Sequence, residues 1–130
     1  MSVGILIVSH EGVGSPLLLA ARRLVGALPL AVEAFDVPWD AEADAVLAAA
    51  SAALRKVDGG DGVLLMVDLY GATPARVAEK LSRLGTPCHR ISGLSLPMLL
   101  RALNYPEQGL DELARTAAAG ARNGVVIDDA

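Results

Sequence analysis

A chain of 130 residues is the size of one ordinary domain, and a single domain over 1–130 is expected. Its 53% hydrophobic content excludes disorder. No stretch longer than ten residues lacks a charged side chain, whereas a membrane-spanning helix needs about 20 mostly apolar residues, so no membrane insertion is expected. Eleven Lys and Arg against fifteen Asp and Glu give a net charge of −4, with no basic cluster larger than Arg22-Arg23 or Arg55-Lys56 and only 3% aromatics, which argues against nucleic acid.

The opening MSVGILIVSHEG has no basic stretch and reaches Glu11 too early for a signal peptide, which predicts a cytoplasmic protein. Residues 3–8 are a nearly continuous β-branched run, the pattern of a strand covered on both faces. A loop with Gly12 and Gly14 follows. Ser15-Pro16 then predicts a helix N-cap with proline at the first helical position, the helix running to about Leu28 before Pro29. Residues 30–35 read as a second strand and Pro38-Trp39-Asp40 as a turn. Asp40 is expected to cap a long helix to about Val57, with acids near its start and Arg55-Lys56 near its end, as the helix dipole favours.

Residues 62–67 predict a third strand, and Thr73-Pro74 repeats the cap-plus-proline start of a helix to about Leu84. Residues 88–92 form a short fourth strand, Ser95 caps a helix to about Asn104, and residues 109–122 are helical. Val125-Val126-Ile127 predicts a last small strand. Strands alternating with helical segments predict an α/β doubly wound fold, a mainly parallel sheet flanked by helices.

In such sheets ligands sit beyond the carboxyl ends of the strands, where the strand order switches. His10 lies at the first of these ends and Asp68 at the third. A carboxylate accepting from one imidazole N–H fixes the tautomer and leaves the other nitrogen nucleophilic. A helix start at Thr73, approached through the small Gly71 and Ala72, offers backbone amides to an anion. The Thr73 hydroxyl can either cap that helix or donate to a phosphoryl oxygen.

Other readings lack their residues. There is no GxxxxGK[ST], no third glycine for GxGxxG and no GxSxG elbow. The acidic pair and late lysine of a receiver domain are missing too. Cys88 has no disulfide partner and reads as a core residue, and two histidines with one cysteine give no zinc spacing, so no metal or cofactor is expected. His89 falls inside a strand and reads as a packing or edge residue. Trp39 and Tyr105 read as rings covering helix ends.

GILIVSH at 4–10, VDLYGATP at 67–74 and GLSLPMLLRALNY at 93–105 together resemble the enzyme IIA component of the mannose family of the bacterial phosphotransferase system. The resemblance implies that His10 takes a phosphoryl group on Nε2 from the phosphocarrier HPr and passes it to a histidine of a IIB component. It implies that Asp68 holds the other ring nitrogen and that Gly71, Ala72 and Thr73 stabilise the phosphoryl group. It implies a homodimer in which a C-terminal strand, residues 124–128, joins the partner's sheet. An apolar rim for a transient partner would come from Leu94, Leu96, Pro97 and Met98, and Leu94, Ser95 and Met98 are expected to dock the partner.

Three residues depart from the family pattern. Glu11 stands where Gly usually follows the histidine, placing a carboxylate that would repel a phosphoryl group unless it points away. Arg76 stands for the usual Asn two residues past the proline, and could add positive charge. Ser95 replaces the Asn of G-x-N-x-P-M. With no IIB segment within the 130 residues, the acceptor is expected to be a separate polypeptide. The alternative is a regulatory binding module whose phosphorylation state controls partner proteins without sugar transport. A small hydrolase or nucleotide-binding domain is the third reading, and the missing motifs count against it.

Overall fold

The computed structural model describes residues 2–129. Nine elements follow in the order β1 (Gly4–His10), α1 (Gly14–Val25), β2 (Val32–Val37), α2 (Ala43–Val57), β3 (Val63–Val67), α3 (Thr73–Leu81), β4 (Cys88–Ser92), α4 (Leu96–Leu103) and α5 (Leu110–Asn123). The four strands form one all-parallel sheet in the order β2-β1-β3-β4. Its register aligns Val8 with Phe35 on one side and Val67 on the other.

The apolar runs are explained by burial on both faces. Successive strand side chains point to opposite sides. Ile5, Ile7, Leu64 and Met66 therefore pack beneath α1, α4 and α5, against Leu18, Leu99 and Leu113. Leu6, Val8, Leu65 and Val67 pack on the other face against Leu54 of α2 and Val77 and Leu81 of α3. Truncating one of these fully buried leucines to alanine costs about 2–5 kcal/mol.

Several boundaries move from their expected places. Ser15 does not cap α1: the helix begins at Gly14, with Val13 at its N-cap. The buried Ser9 hydroxyl, five residues upstream, accepts from the Gly14 amide at 2.8 Å instead. A side chain at position 14 would place its Cβ 2.6 Å from that hydroxyl, so glycine is required by close approach. The same helix stops at Val25 rather than Leu28, because Gly26 turns out of it at φ 84°, a conformation that L side chains rarely adopt. The second strand lies two residues later than expected, over Val32–Val37.

At the start of α2 the N-cap is Glu42, not Asp40. The third helix ends at Leu81, short of Leu84. Residues 125–127 form no strand among the described residues, and Val125, Val126 and Ile127 are left 70–80% exposed. By contrast Ser95 caps α4 as expected, its hydroxyl accepting from the Met98 amide at 3.2 Å. Among the described residues no helix is long and apolar enough to cross a membrane.

This topology creates the site. From β1 the chain crosses through α1 to β2, on one side; from β3 it crosses through α3 to β4, on the other. The two connections diverge between the carboxyl ends of β1 and β3, which is the switch point. His10 ends β1, and Asp68 directly follows β3.

Candidate active site

Asp68 grips His10 twice. Its Oδ2 accepts from the His10 backbone N–H at 3.0 Å and lies 2.7 Å from His10 Nδ1. An ionised carboxylate can only accept, so Nδ1 carries the proton and the lone pair of the neutral ring resides on Nε2. Both side chains are largely withdrawn from water, at 17% exposure for His10 and 10% for Asp68. Among the described residues the other carboxylate oxygen, Oδ1, is buried without a hydrogen-bond partner. The histidine therefore holds the carboxylate's charge as much as the carboxylate holds the ring.

The backbone at His10 is braced from below. The Ser9 hydroxyl, besides accepting from Gly14, donates to the His10 carbonyl at 2.9 Å. From above, Trp39 lies on the imidazole with ring centroids 4.5 Å apart and planes 19° from parallel. Its indole N–H donates to the Glu11 carbonyl at 3.1 Å, and the Glu11 amide in turn donates to Val37 O at 3.0 Å. Glu11 thus meets the site through its backbone, and it is an exposed residue.

Beyond Asp68 the chain turns through Gly71, whose φ of 84° suits glycine although an added Cβ would meet nothing. It enters α3 with Ala72 as N-cap and Thr73-Pro74 as the first helical residues. Proline has no N–H, so the amides this helix end can offer an anion are those of Gly71, Ala72 and Thr73. Thr73 was expected to cap the helix or to face an anion. It does not cap: its hydroxyl accepts from Arg76 Nη2 at 3.1 Å, which leaves its own proton to donate. A cleft of about 440 Å³ opens here, lined by Tyr70, Gly71, Arg76 and Arg90 among others.

The expected rim is partly corrected. Met98 is 1% exposed and packs in the core beneath α4, so its side chain cannot meet a partner. Leu94 and Leu96 are half-buried against the same core, while Pro97 is exposed. The large apolar groups that face solvent around the site are Trp39, Leu69 and Tyr70, exposed 65%, 59% and 87%. Trp39 was expected to cover a helix end and lies on the His10 ring instead, while Leu69 and Tyr70 carried no signal because exposure of a loop residue leaves no trace in local periodicity. Ser9 was missed too, though a serine closing a continuous apolar strand is a usable signal for a buried, bonded hydroxyl.

The second histidine is also paired. His89 Nε2 lies 2.5 Å from Asp111 Oδ1, on the outer edge of the sheet, where both groups are well exposed. This links β4 to α5, away from the strand ends. Cys88 is half-buried at the start of β4, its thiol donating to Thr86 O at 3.2 Å rather than lying fully in the core. Among the described residues no group of three or more His, Cys, Asp or Glu could hold a metal ion.

An all-parallel α/β sheet presents a carboxylate-held imidazole at its switch point, beside a helix N-terminus suited to an anion. That places the chain among doubly wound α/β proteins with a candidate site at the switch point of the sheet. The chain belongs to the EIIA-man family, described as the PTS system fructose IIA component, whose model matches residues 4–117. It is 29% identical over 132 residues to the mannose-specific EIIAB component of the phosphotransferase system of Escherichia coli K12, an alignment covering 96% of this chain and 39% of that protein. It is 30% identical over 109 residues to the transcriptional regulatory protein LevR of Bacillus subtilis, covering 79% of this chain and 11% of that one. The chain thus spans well under half the length of these relatives.

In fold it matches the mannose/sorbose-specific IIA subunit of the phosphotransferase system from Enterococcus faecalis, with a TM-score of 0.86 at 24% identity over 100% of this chain and 97% of the other. The chain is therefore a mannose-family IIA component.

Proposed function

We propose that His10 is the phosphoryl-accepting residue, taking the group from the phosphocarrier HPr and passing it to a histidine of a IIB component. The observation that carries this reading is the double hold of Asp68 Oδ2 on the His10 amide and Nδ1. It leaves Nε2 as the nucleophile. In transfer, the Nε2 lone pair forms a bond to phosphorus as the donor's N–P bond breaks and its electron pair returns to the donor ring. The Nδ1 proton stays with the Asp68 contact, whose negative charge offsets the positive charge gained by the His10 ring.

The in-line geometry asks the protein mainly for positioning and for neutralisation of the three equatorial oxygens. The amides of Gly71, Ala72 and Thr73 and the Thr73 hydroxyl serve that purpose, with the helix dipole behind them. Arg76, held on the Thr73 hydroxyl, adds a full positive charge at the same end. Leu94 and Ser95 belong to the neighbouring surface on which partners dock, with Trp39, Leu69 and Tyr70 as its exposed apolar part.

The protein works in the cytoplasm as a homodimer in which residues 124–128 extend the partner's sheet. What supports the exchange is that β4 is an edge strand and that three consecutive apolar side chains are left in water. A regulatory role, in which phosphorylation of His10 switches a partner rather than feeding a transporter, is favoured by the likeness to the Bacillus subtilis transcriptional regulatory protein. Incubation with phosphoenolpyruvate, enzyme I and HPr should load the protein with an acid-labile, alkali-stable phosphate that a IIB component removes. A wild-type protein that takes up no phosphate would overturn the proposal; a loaded protein that IIB cannot discharge would favour the regulatory role.

A further inference from the structure

We infer that Trp39 is a positioning residue for His10, the indole serving as a fixed face against which the imidazole is held flat. The inference rests on the reading of His10 as the phosphoryl acceptor. Asp68 fixes only one edge of the ring, through Nδ1. A single edge contact leaves the ring free to rock about that hydrogen bond, and rocking swings Nε2 out of line with an incoming phosphorus atom. In-line transfer is sensitive to such misplacement. A face contact removes this freedom, and Trp39 supplies one at 4.5 Å and 19°.

The indole is itself anchored. Its N–H donates to the Glu11 carbonyl, and the Glu11 amide donates to Val37 O, so the loops after β1 and β2 are tied together around the stack. Pro38 restricts the backbone just before Trp39, and its carbonyl accepts from the Ala41 amide at 3.1 Å, closing a turn. Glu11, a departure from the family pattern, contributes only backbone atoms to this arrangement. The indole remains 65% exposed, an unusual place for the chain's single tryptophan unless its contact face has a use.

The electrostatics point the same way. The face of an indole is negative and attracts a cationic ring. When Nε2 gains phosphorus while Nδ1 keeps its proton, the imidazole becomes cationic, so the stack is stronger in the phosphorylated state than before transfer. Trp39 thus stabilises the product ring without touching the phosphoryl oxygens, which the amides at the start of α3 address, while Asp68 holds the ring at Nδ1.

The test uses the intact protein and two readouts. In the unphosphorylated protein, the ring protons of His10 should resonate upfield of those of His89 through the indole ring current. In Trp39→Ala they should move downfield, and in Trp39→Phe they should stay close to wild type. Phosphoryl uptake from phospho-HPr should slow about three- to tenfold in Trp39→Ala, equivalent to about 0.6–1.4 kcal/mol at 1.36 kcal/mol per decade. Trp39→Phe should restore most of the loss. Ring-proton shifts unaffected by Trp39→Ala would refute the stack, and unaltered uptake by that variant would refute the positioning role. Wild type that shows the upfield shifts but accepts no phosphate would instead refute the reading of His10 on which the inference stands.

Discussion

Replacing Asp68 by asparagine isolates the hold on the His10 ring. The amide keeps nearly the same shape and can still accept one hydrogen bond, but it loses the charge that favours a proton on Nδ1. It can also turn its NH₂ towards Nδ1, which stabilises the tautomer protonated on Nε2 and blocks the nucleophile. Two contacts to Oδ2, at 2.7 and 3.0 Å, are affected. A hydrogen bond to a charged group contributes about 1.5–3 kcal/mol. Losing that amount from the transition state slows transfer by about ten- to a hundredfold.

Stability should respond differently. Asp68 carries a buried oxygen with no partner among the described residues, so neutralising the side chain removes a desolvation cost as well as a favourable contact. The melting temperature should therefore shift by no more than about 4 °C, the equivalent of about 1 kcal/mol for a domain of this size. The assay is quench-flow uptake of phosphate from phospho-HPr, with thermal melts in parallel. Uptake as fast as wild type in a folded variant would refute the claim that Asp68 sets the tautomer.

Three further outcomes follow from the same geometry. Ser95→Ala should cost about 1 kcal/mol of stability, because Ser95 caps α4, whereas Thr73→Ala should cost under about 0.5 kcal/mol yet slow phosphoryl uptake about two- to tenfold; chemical denaturation and uptake rates separate the two, and equal stability losses would contradict the assignment of caps. Gly14→Ala should lose about 1–3 kcal/mol, since the new methyl falls 2.6 Å from Ser9 Oγ and 2.7 Å from Ile7 Cγ2; a midpoint equal to wild type in urea would show that this packing yields freely. Burial, and after it the Asp58 carboxylate, push the Cys88 thiol above its ordinary value. The thiolate is the reactive form, so at pH 8 iodoacetamide should modify Cys88 more slowly than a free thiol, and unfolding should abolish the difference; equal rates would contradict the burial.

Much of this architecture was legible because it depends on local pattern. Ile5 to Val8 and Val63 to Val67 are apolar at every position as strands covered on both faces require, and the strand ends marked His10 and Asp68 in advance. Ser95 capped its helix because its competitor was only water. At α1 the local signal of Ser15-Pro16 lost to Ser9, a hydroxyl that tertiary structure delivers to the helix start. Trp39 was beyond the reach of periodicity for the same reason: its partner lies 29 positions earlier and meets it only when β1 and β2 pair. Met98 sits in an apolar stripe whose inner and outer members cannot be told apart until α4 is laid on the sheet. The apolar run at 125–127 reads as a strand, but a strand needs a neighbour, and in this chain it has none among the described residues.

The chain holds two histidines, and each lies against an aspartate, which permits a direct choice between them. His10 is anchored through its backbone, withdrawn from water and set at the switch point, while His89 lies exposed on a sheet edge. The decisive measurement is therefore phosphate uptake from phospho-HPr by wild type, His10→Ala and His89→Ala, each shown to be folded by circular dichroism. The account predicts that His89→Ala is labelled like wild type and that His10→Ala carries no acid-labile phosphate. Label retained by His10→Ala, or lost from His89→Ala, would contradict it.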